Sequence, residues 1–388
     1  MEYISAKEAA EKWGITVRWV QQCCKNGLIL GAGRLGNSWI IPKGAHRPET
    51  ASTSPTIYGT PLPLMNRTFN PGQCIETIEA IADADERALA WGEYYYFSGQ
   101  AEQAIAAVVP FLEHKNIFFR LSANLIFTFS SLTTQNTKAV FQSSATIHEI
   151  METLRARSSY PRQYAMAVFI RVTSAVLLHL PVPPDLNLKA HLRYLPKGLR
   201  LFACYIIAHQ HYLAGAYGES FGVAQTALSI EALQFPIPGI YLHLVAAMSL
   251  MRLKRTKEAR EHFYAAWELA QPDHLIEGFA EHHGLLSGLI ESCLKRTHLP
   301  EYEEVISITN QFSKGWRDVH NFETHSEKTS ILSATEFTIA SLAARGWTNQ
   351  EIATHLELSV HTIKNYISVI YQKLHISSRS HLPKYLLR

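Results

Sequence analysis

The residues with the most readable chemistry lie in SVHTIKNYISVIYQKL, the string from Ser359 to Leu374. Ile363, Ile367, Ile370 and Leu374 recur at spacings of four, three and four, which is one buried stripe of a helix. The remaining face carries His361, Thr362, Lys364, Asn365 and Ser368. One ammonium and one amide on a polar helix face are either plain solvated surface or a surface built to meet nucleic acid. In the second case charged groups meet phosphates and polar groups reach base edges.

The neighbouring elements decide between these readings. Ser333 and Glu336 have capping-box spacing, as do Thr348 and Glu351, and Gly346 ends the first of these helices. A second helix runs from about Asn349 to Leu356, and Ser359 caps the third. A polar-faced helix directly after a short capped helix and a tight turn is helix-turn-helix architecture, in which the second helix of the pair enters the major groove. On Leu332, Glu336, Leu342, Gly346, Asn349, Glu351, Ile352, Ala353, Leu356, Ser359, Thr362, Ile363, Lys364, Asn365, Ile370, Lys373, Leu374 and Arg379, residues 332–380 resemble the LuxR/FixJ-type DNA-binding domain of bacterial transcription regulators. The resemblance implies a four-helix domain over residues 330–388 whose third helix reads DNA and whose fourth supports dimerisation. It puts Thr362 and Asn365 on the recognition surface and Lys364 on phosphates or base edges. It adds Asn349 and Ser359 to the DNA-binding set and makes Lys373 and Arg379 further phosphate candidates. The sequence departs from the pattern at Ala334-Thr335, where proline-arginine is common, at Tyr366, and at Pro383, which interrupts the last helix.

A second set of candidates lies at the other end. Ser5 and Glu8 form another capping box, Ala6, Ala9, Ala10 and Trp13 make a small core face, and Gly14 breaks the helix. Thr16 caps a second helix with Val17, Val20 and Cys24 inward and Arg18, Gln21, Gln22 and Lys25 outward, ending at Gly27. Leu28–Leu30 and Trp39–Ile41 read as a hairpin around Arg34-Leu35-Gly36-Asn37. The strings SAKEAAEKWGITVRWVQQCCKNGLI and GRLGNSWIIP resemble excisionase/MerR-type winged helix-turn-helix modules. That resemblance covers residues 1–45 and implies that Thr16, Arg18, Trp19, Gln22 and Lys25 face DNA, with Arg34 and Asn37 in the wing. A helix-turn-helix reused to contact protein remains open, because fold does not fix function.

Between the ends, residues 46–72 hold five prolines and read as a linker. Residues 73–310 are helical by pattern, with one helix expected over 75–90, and residues 311–329 are expected to link them to the C-terminal domain. Small residues, a short turn and a further helix recur around Gly99, Gly215 and Lys254, resembling degenerate tetratricopeptide repeats; a plain helical bundle is the other reading. Of Tyr94, Tyr95, Tyr96 and Phe97, most should be core. The prolines at 181, 183, 184 and 196 should interrupt the stack.

Net charge is +3 over residues 1–50, +3 over residues 330–388 and −3 between them, as two nucleic-acid contacts or chance would give. No GxxxxGK[ST] or HExxH string occurs, and no paired-carboxylate arrangement is recognisable, so no enzyme activity is expected. His209 with His211, and His282 with His283, lack a third ligand at metal spacing, so neither metal nor cofactor is expected. The five cysteines form no C-x-x-C pair, and Cys23-Cys24 read as packing. No window suits a membrane span and the N-terminus has no signal-peptide pattern, so a cytoplasmic protein is expected. The expectation is a mainly α regulator of transcription bound to double-stranded DNA. Its helical centre would take a peptide, protein or small-molecule effector or form a homodimer, without contact to membrane. A helical scaffold with degenerate ends is the competing class.

Overall fold

The computed structural model describes residues 3–14, 16–25, 29, 31–36, 38–45, 59–156, 161–230, 234–324 and 331–386. They fall into two compact units, Met1–Ile57 and Tyr58–Arg388.

In the first unit β1 (Tyr3–Ser5) leads into α1 (Ala6–Trp13) and α2 (Val17–Lys25), then β2 (Gly33–Leu35) and β3 (Ser38–Pro42). The Glu8 amide donates to Ser5 Oγ at 3.2 Å and the Ser5 amide to Glu8 Oε2 at 2.7 Å, which closes the expected capping box. Gly14, at φ 66°, ends α1 in the left-handed region. The three strands are antiparallel in the order β1-β3-β2, with Ile4 opposite Ile41 and Arg34 opposite Trp39. Two expectations are corrected here. The first hairpin strand is Gly33–Leu35, not Leu28–Leu30, of which only Ile29 is described and is a buried core side chain. Val17 sits on the first turn of α2 at 38 % exposure, and the inward stripe is Val20, Cys23 and Cys24. Both cysteines are free, and burial pushes the Cys23 thiol up to about 11, as suits packing.

The second unit is helical in its described residues. Its helices are α3 (Cys74–Glu79), α4 (Ala84–Phe97), α5 (Ala101–Val108), α6 (Ile117–Thr133), α7 (Thr137–Ala156), α8 (Pro161–Leu177), α9 (Leu188–His191), α10 (Lys197–Leu213), α11 (Tyr217–Ile230), α12 (Pro236–Arg252), α13 (Thr256–Ala270), α14 (Glu277–Glu281), α15 (His283–Leu286), α16 (Leu289–Leu294), α17 (Leu299–Thr324), α18 (Ala334–Ala344), α19 (Asn349–Leu356), α20 (Val360–Lys373) and α21 (Leu382–Leu386). One turn recurs between successive helices. At Gly99, Gln135, His179, Gly215 and Lys254 the chain takes a positive φ, and the next amide donates back five residues: Gln100 to Tyr95, Asn136 to Ser131, Leu180 to Ala175, Ala216 to His211 and Arg255 to Leu250. These bonds satisfy carbonyls orphaned at each helix end. At Gly99, Gln135, Gly215 and Lys254 the turn is short and the next helix packs back on its predecessor, whereas after His179 a proline-bearing stretch intervenes before α9 starts at Leu188. The expected single helix over 75–90 is instead two. Asp83 accepts from the Glu86 amide at 2.9 Å and starts α4 afresh.

The two expected linkers are also corrected over their described residues; 46–58 and 325–329 lie outside these. Residues 59–72 are fixed to the body although their composition is that of a loop. Leu62, Leu64 and Met65 are buried. The Leu64 and Met65 amides each donate to the buried Glu93 carboxylate at 2.9 Å, and the Gly72 and Cys74 amides donate to Asp273 at 2.7 and 2.9 Å. Residues 311–324 continue α17, which packs along α6 and α14. Trp316 Nε1 donates to the Leu177 carbonyl and His320 Nδ1 meets that of Leu178, both at 2.9 Å, so α17 closes the end of α8. Of the aromatic run, Tyr96 and Phe97 are core, while half-buried Tyr94 and Tyr95 pack on Trp91.

Polar groups thread the core. Tyr205 Oη lies 2.7 Å from His282 Nε2 and 3.2 Å from His209 Nδ1, so both histidines are core rather than exposed. Tyr96 and Tyr241 donate their hydroxyls to Glu281.

Gly315 marks the closest crossing of α17 on α6, since a Cβ there would lie 2.0 Å from the Leu132 carbonyl oxygen. Gly315→Ala is expected to lower stability by about 1–3 kcal/mol in denaturant titration, outweighing a helix-propensity gain of about 1 kcal/mol. A pH effect also follows. Burial pushes Glu93 up to about 8 and Glu281 up to about 7, and pushes His243 and His282 down to about 4. Above about pH 7.5, one unit past the ordinary histidine value, the histidines are largely neutral folded or unfolded. The Glu93 carboxyl still holds a proton that the unfolded chain has lost. The folded state then binds more protons, so stability is expected to fall as pH rises through about 8. Thermal melts from about pH 7.5 upward should show the fall, and Glu93→Gln should flatten it.

Candidate nucleic-acid interface

Residues 331–386 form a domain within the second unit, and α18 and α19 are the helices it packs against the body. Gly284 and Gly288 make room for them: a Cβ at either would lie 2.6 Å from Phe337 or from Leu356. Buried Glu291 joins His283 Nε2 at 2.9 Å to the Thr338 hydroxyl at 3.1 Å. Burial alone would raise the Glu291 carboxyl, but the His283 imidazole and the hydrogen bonds hold it below the usual range. His355 Nε2 meets the Ser287 carbonyl at 2.9 Å, and Arg260 reaches the His355 carbonyl at 3.3 Å.

Within the domain both capping boxes close. The Glu336 amide donates to Ser333 Oγ at 3.3 Å and the Ser333 amide to Glu336 Oε2 at 2.7 Å; the Thr348–Glu351 pair does the same at 3.2 and 2.6 Å. Ser359 Oγ accepts from the Thr362 amide at 3.0 Å and starts α20. Glu357, at φ 56°, makes the turn between α19 and α20. Ile363, Ile367, Ile370 and Leu374 are buried, as the period requires.

The outer face of α20 is open. His361, Lys364, Asn365 and Ser368 are exposed, and Thr362 is half-buried. Asn365 Nδ2 lies 3.3 Å from His361 Nε2, so the two side chains lean together along the face. Exposed Gln372 extends the row 361, 365, 368, 372 by one turn. Sequence reading stopped short of it, although the same helical period points to it.

The other C-terminal candidates are tied inside the domain. Lys373 Nζ donates to both Glu336 oxygens at 2.7 and 2.8 Å. Burial would raise the Glu336 carboxyl, but the Lys373 ammonium and the Ser333 amide hold it below its ordinary value. Arg379 donates to the carbonyls of Ala343 and Trp347 and, at 3.1 Å, to Asn349 Oδ1. Arg379 and Asn349 therefore clamp the α18–α19 turn, and Lys373 braces α20 against the start of α18. Exposed Ser359 acts as the cap of α20.

In the first unit Thr16, Arg18 and Arg34 are exposed, and the Arg34 guanidinium lies 5.0 Å over the Trp39 ring. Asn37 and the side chains of Trp19, Gln22 and Lys25 lie outside the described residues. Among the described residues no cluster of three or more His, Cys, Asp or Glu is placed to hold a metal, and no helix is long and apolar enough to cross a membrane.

The GerE family, bacterial regulatory proteins of the luxR family, matches residues 330–386. No curated protein and no solved structure matches the chain. The C-terminal domain is thus a LuxR-type helix-turn-helix, and its presence supports a DNA-binding regulatory role.

Lys364 and Arg379 should separate in experiment. Lys364→Ala should reduce the slope of log affinity against log salt by about 0.9 if the ammonium neutralises one phosphate. Arg379→Ala should leave that slope unchanged and lower the melting temperature, because its guanidinium is spent on two carbonyls and an amide. Salt-dependent DNA titrations with parallel thermal melts check both.

Proposed function

We propose that the chain is a bacterial transcription regulator that performs no bond chemistry and holds DNA through α20. The exposed row His361, Lys364, Asn365 and Ser368 on a capped, packed helix carries this reading. Lys364 supplies a phosphate or base-edge contact, while Thr362 and the Asn365 amide select bases. Lys373, Arg379 and Asn349 act by holding the α18–α19–α20 frame.

In this proposal the helical centre is a sensor or assembly domain related to tetratricopeptide repeats. The support is the repeated positive-φ turn at Gly99, Gln135, His179, Gly215 and Lys254. The N-terminal unit is a second DNA contact of the excisionase/MerR kind, with exposed Thr16 just before α2, Arg18 on α2 and Arg34 on the β2–β3 hairpin. Its support is the helix pair, the first helix closed by a capping box, beside a small antiparallel sheet, and the local charge of +3. Two readers on one chain raise avidity through effective concentration. A second reading, in which the N-terminal unit contacts protein, is favoured by one observation: the Arg34 guanidinium already stacks on Trp39.

Footprints of the intact chain on long promoter DNA test the proposal. The double variant Arg18→Ala/Gln22→Ala should keep one protected segment and lose or weaken a second. Asn365→Ala should change which bases are preferred within the retained segment. If the intact chain and the double variant protect the same bases with equal affinity, the N-terminal unit is no reader. If Asn365→Ala and Lys364→Ala both leave affinity and preference unchanged in folded protein, α20 is not the recognition helix.

A further inference from the structure

A cavity of about 510 Å³ lies where the helical centre meets the DNA-reading domain, a volume typical of small-molecule sites. Its walls come from α10, α14, α15 and α17 on one side and from α18 and α21 on the other, with Tyr217 and Arg252 at the ends of α11 and α12. The polar groups facing it are unevenly satisfied. Arg345, just after α18, points in with Nε and Nη1 out of reach of solvent and without a hydrogen-bond partner. His209 Nε2, on α10, is likewise buried and unpartnered. Arg252 lines the same wall, its guanidinium 4.7 Å over the Tyr217 ring and bonded to the Tyr217 hydroxyl. Burial pushes Arg345 below its ordinary value, and the nearby charge of Arg252 adds to that effect. Among the described residues no carboxylate pairs with either arginine. The Glu281 carboxylate, on the cavity lining, is already taken by Tyr96 and Tyr241.

Two guanidiniums sharing a partly dry wall without a counter-ion leave buried donors unmet, which costs free energy that a bound anion recovers. The rest of the lining is aromatic and apolar, with Tyr212, Trp316 and Phe337 prominent. We propose that this cavity binds a small organic anion, its acidic head on Arg345 and Arg252 and its apolar body against the aromatic rings. Arg345 belongs to the reader and Arg252 to the helical centre, so the bound anion ties α18 to the body and fixes how α20 is presented. The coupling to DNA rests on the function proposed above; the binding itself does not.

Anilinonaphthalene sulfonate, an aromatic anion, and phenylnaphthylamine, its uncharged counterpart, are the probes. Fluorescence titration of the intact protein should show one saturable sulfonate site. Arg345→Gln and Arg252→Gln should each weaken sulfonate binding about tenfold, as loss of a charge-assisted bond implies, and leave the neutral dye within about twofold. Arg345→Lys should restore part of the affinity, and it carries the test with Arg252→Gln if Arg345→Gln fails to fold. Hydrogen exchange should slow in α18 and at the end of α12 when the sulfonate is bound. Equal losses for both dyes, unchanged sulfonate affinity in the folded variants, or no protection in α18 would overturn the proposal. Because no DNA is present, this outcome is independent of whether α20 reads bases.

Discussion

The arrangement depends on a close seam between the helical centre and the C-terminal domain, and that seam depends on what Gly284 and Gly288 leave out. A methyl group at either position would collide with Phe337 or Leu356. With the side chains absent, α18 and α19 come close enough for Glu291 to hold His283 and Thr338 together and for His355 to reach the Ser287 carbonyl. A buried carboxylate is stabilising only when its oxygens are well paired. Here the imidazole partner keeps it ionised at a place where burial alone would neutralise it. The geometry turns α18 and α19 inward and leaves the polar face of α20 outward, so one contact both anchors the C-terminal domain and leaves that face open.

The same logic governs the body. The amides at residues 64 and 65 end on Glu93, and those at residues 72 and 74 end on Asp273, so a segment without regular structure is held by two carboxylates from distant helices. The Glu281–Tyr96–Tyr241 and His282–Tyr205–His209 groups place polar chemistry inside an otherwise apolar stack. Such networks specify one packing among many apolar alternatives when their members are satisfied. At the cavity wall Arg345 Nε and Nη1 and His209 Nε2 are buried without a hydrogen-bond partner.

What was legible in the sequence was local. The capping boxes at Ser5, Ser333 and Thr348 depend on residues three apart, and the buried stripe of α20 on residues three and four apart, so both could be read directly. Long-range partners were not legible. The run from 59 to 72 resembles a linker because nothing nearby shows that its amides bond to residues 26 to 201 positions away. Lys373 and Arg379 read as phosphate ligands because their partners lie 30 to 37 positions away. The helix over 311–324 was hidden by polar residues whose neighbours, Leu132, Leu177 and Leu178, come from two other helices and the end of one of them. Arg345 gave no signal, since an arginine at the end of a helix is ordinary surface unless the cavity around it is known.

Whether α20 meets DNA while the C-terminal domain stays docked on the body is measured by site-specific photocrosslinking. A photoreactive side chain placed at exposed Ser368 of the intact protein is compared with one at exposed Gln142 on α7, using sheared genomic DNA. Strong crosslinks from position 368 that recover one recurring short sequence are expected, with only background from position 142. Equal, sequence-independent crosslinking from the two positions would contradict the proposed contact.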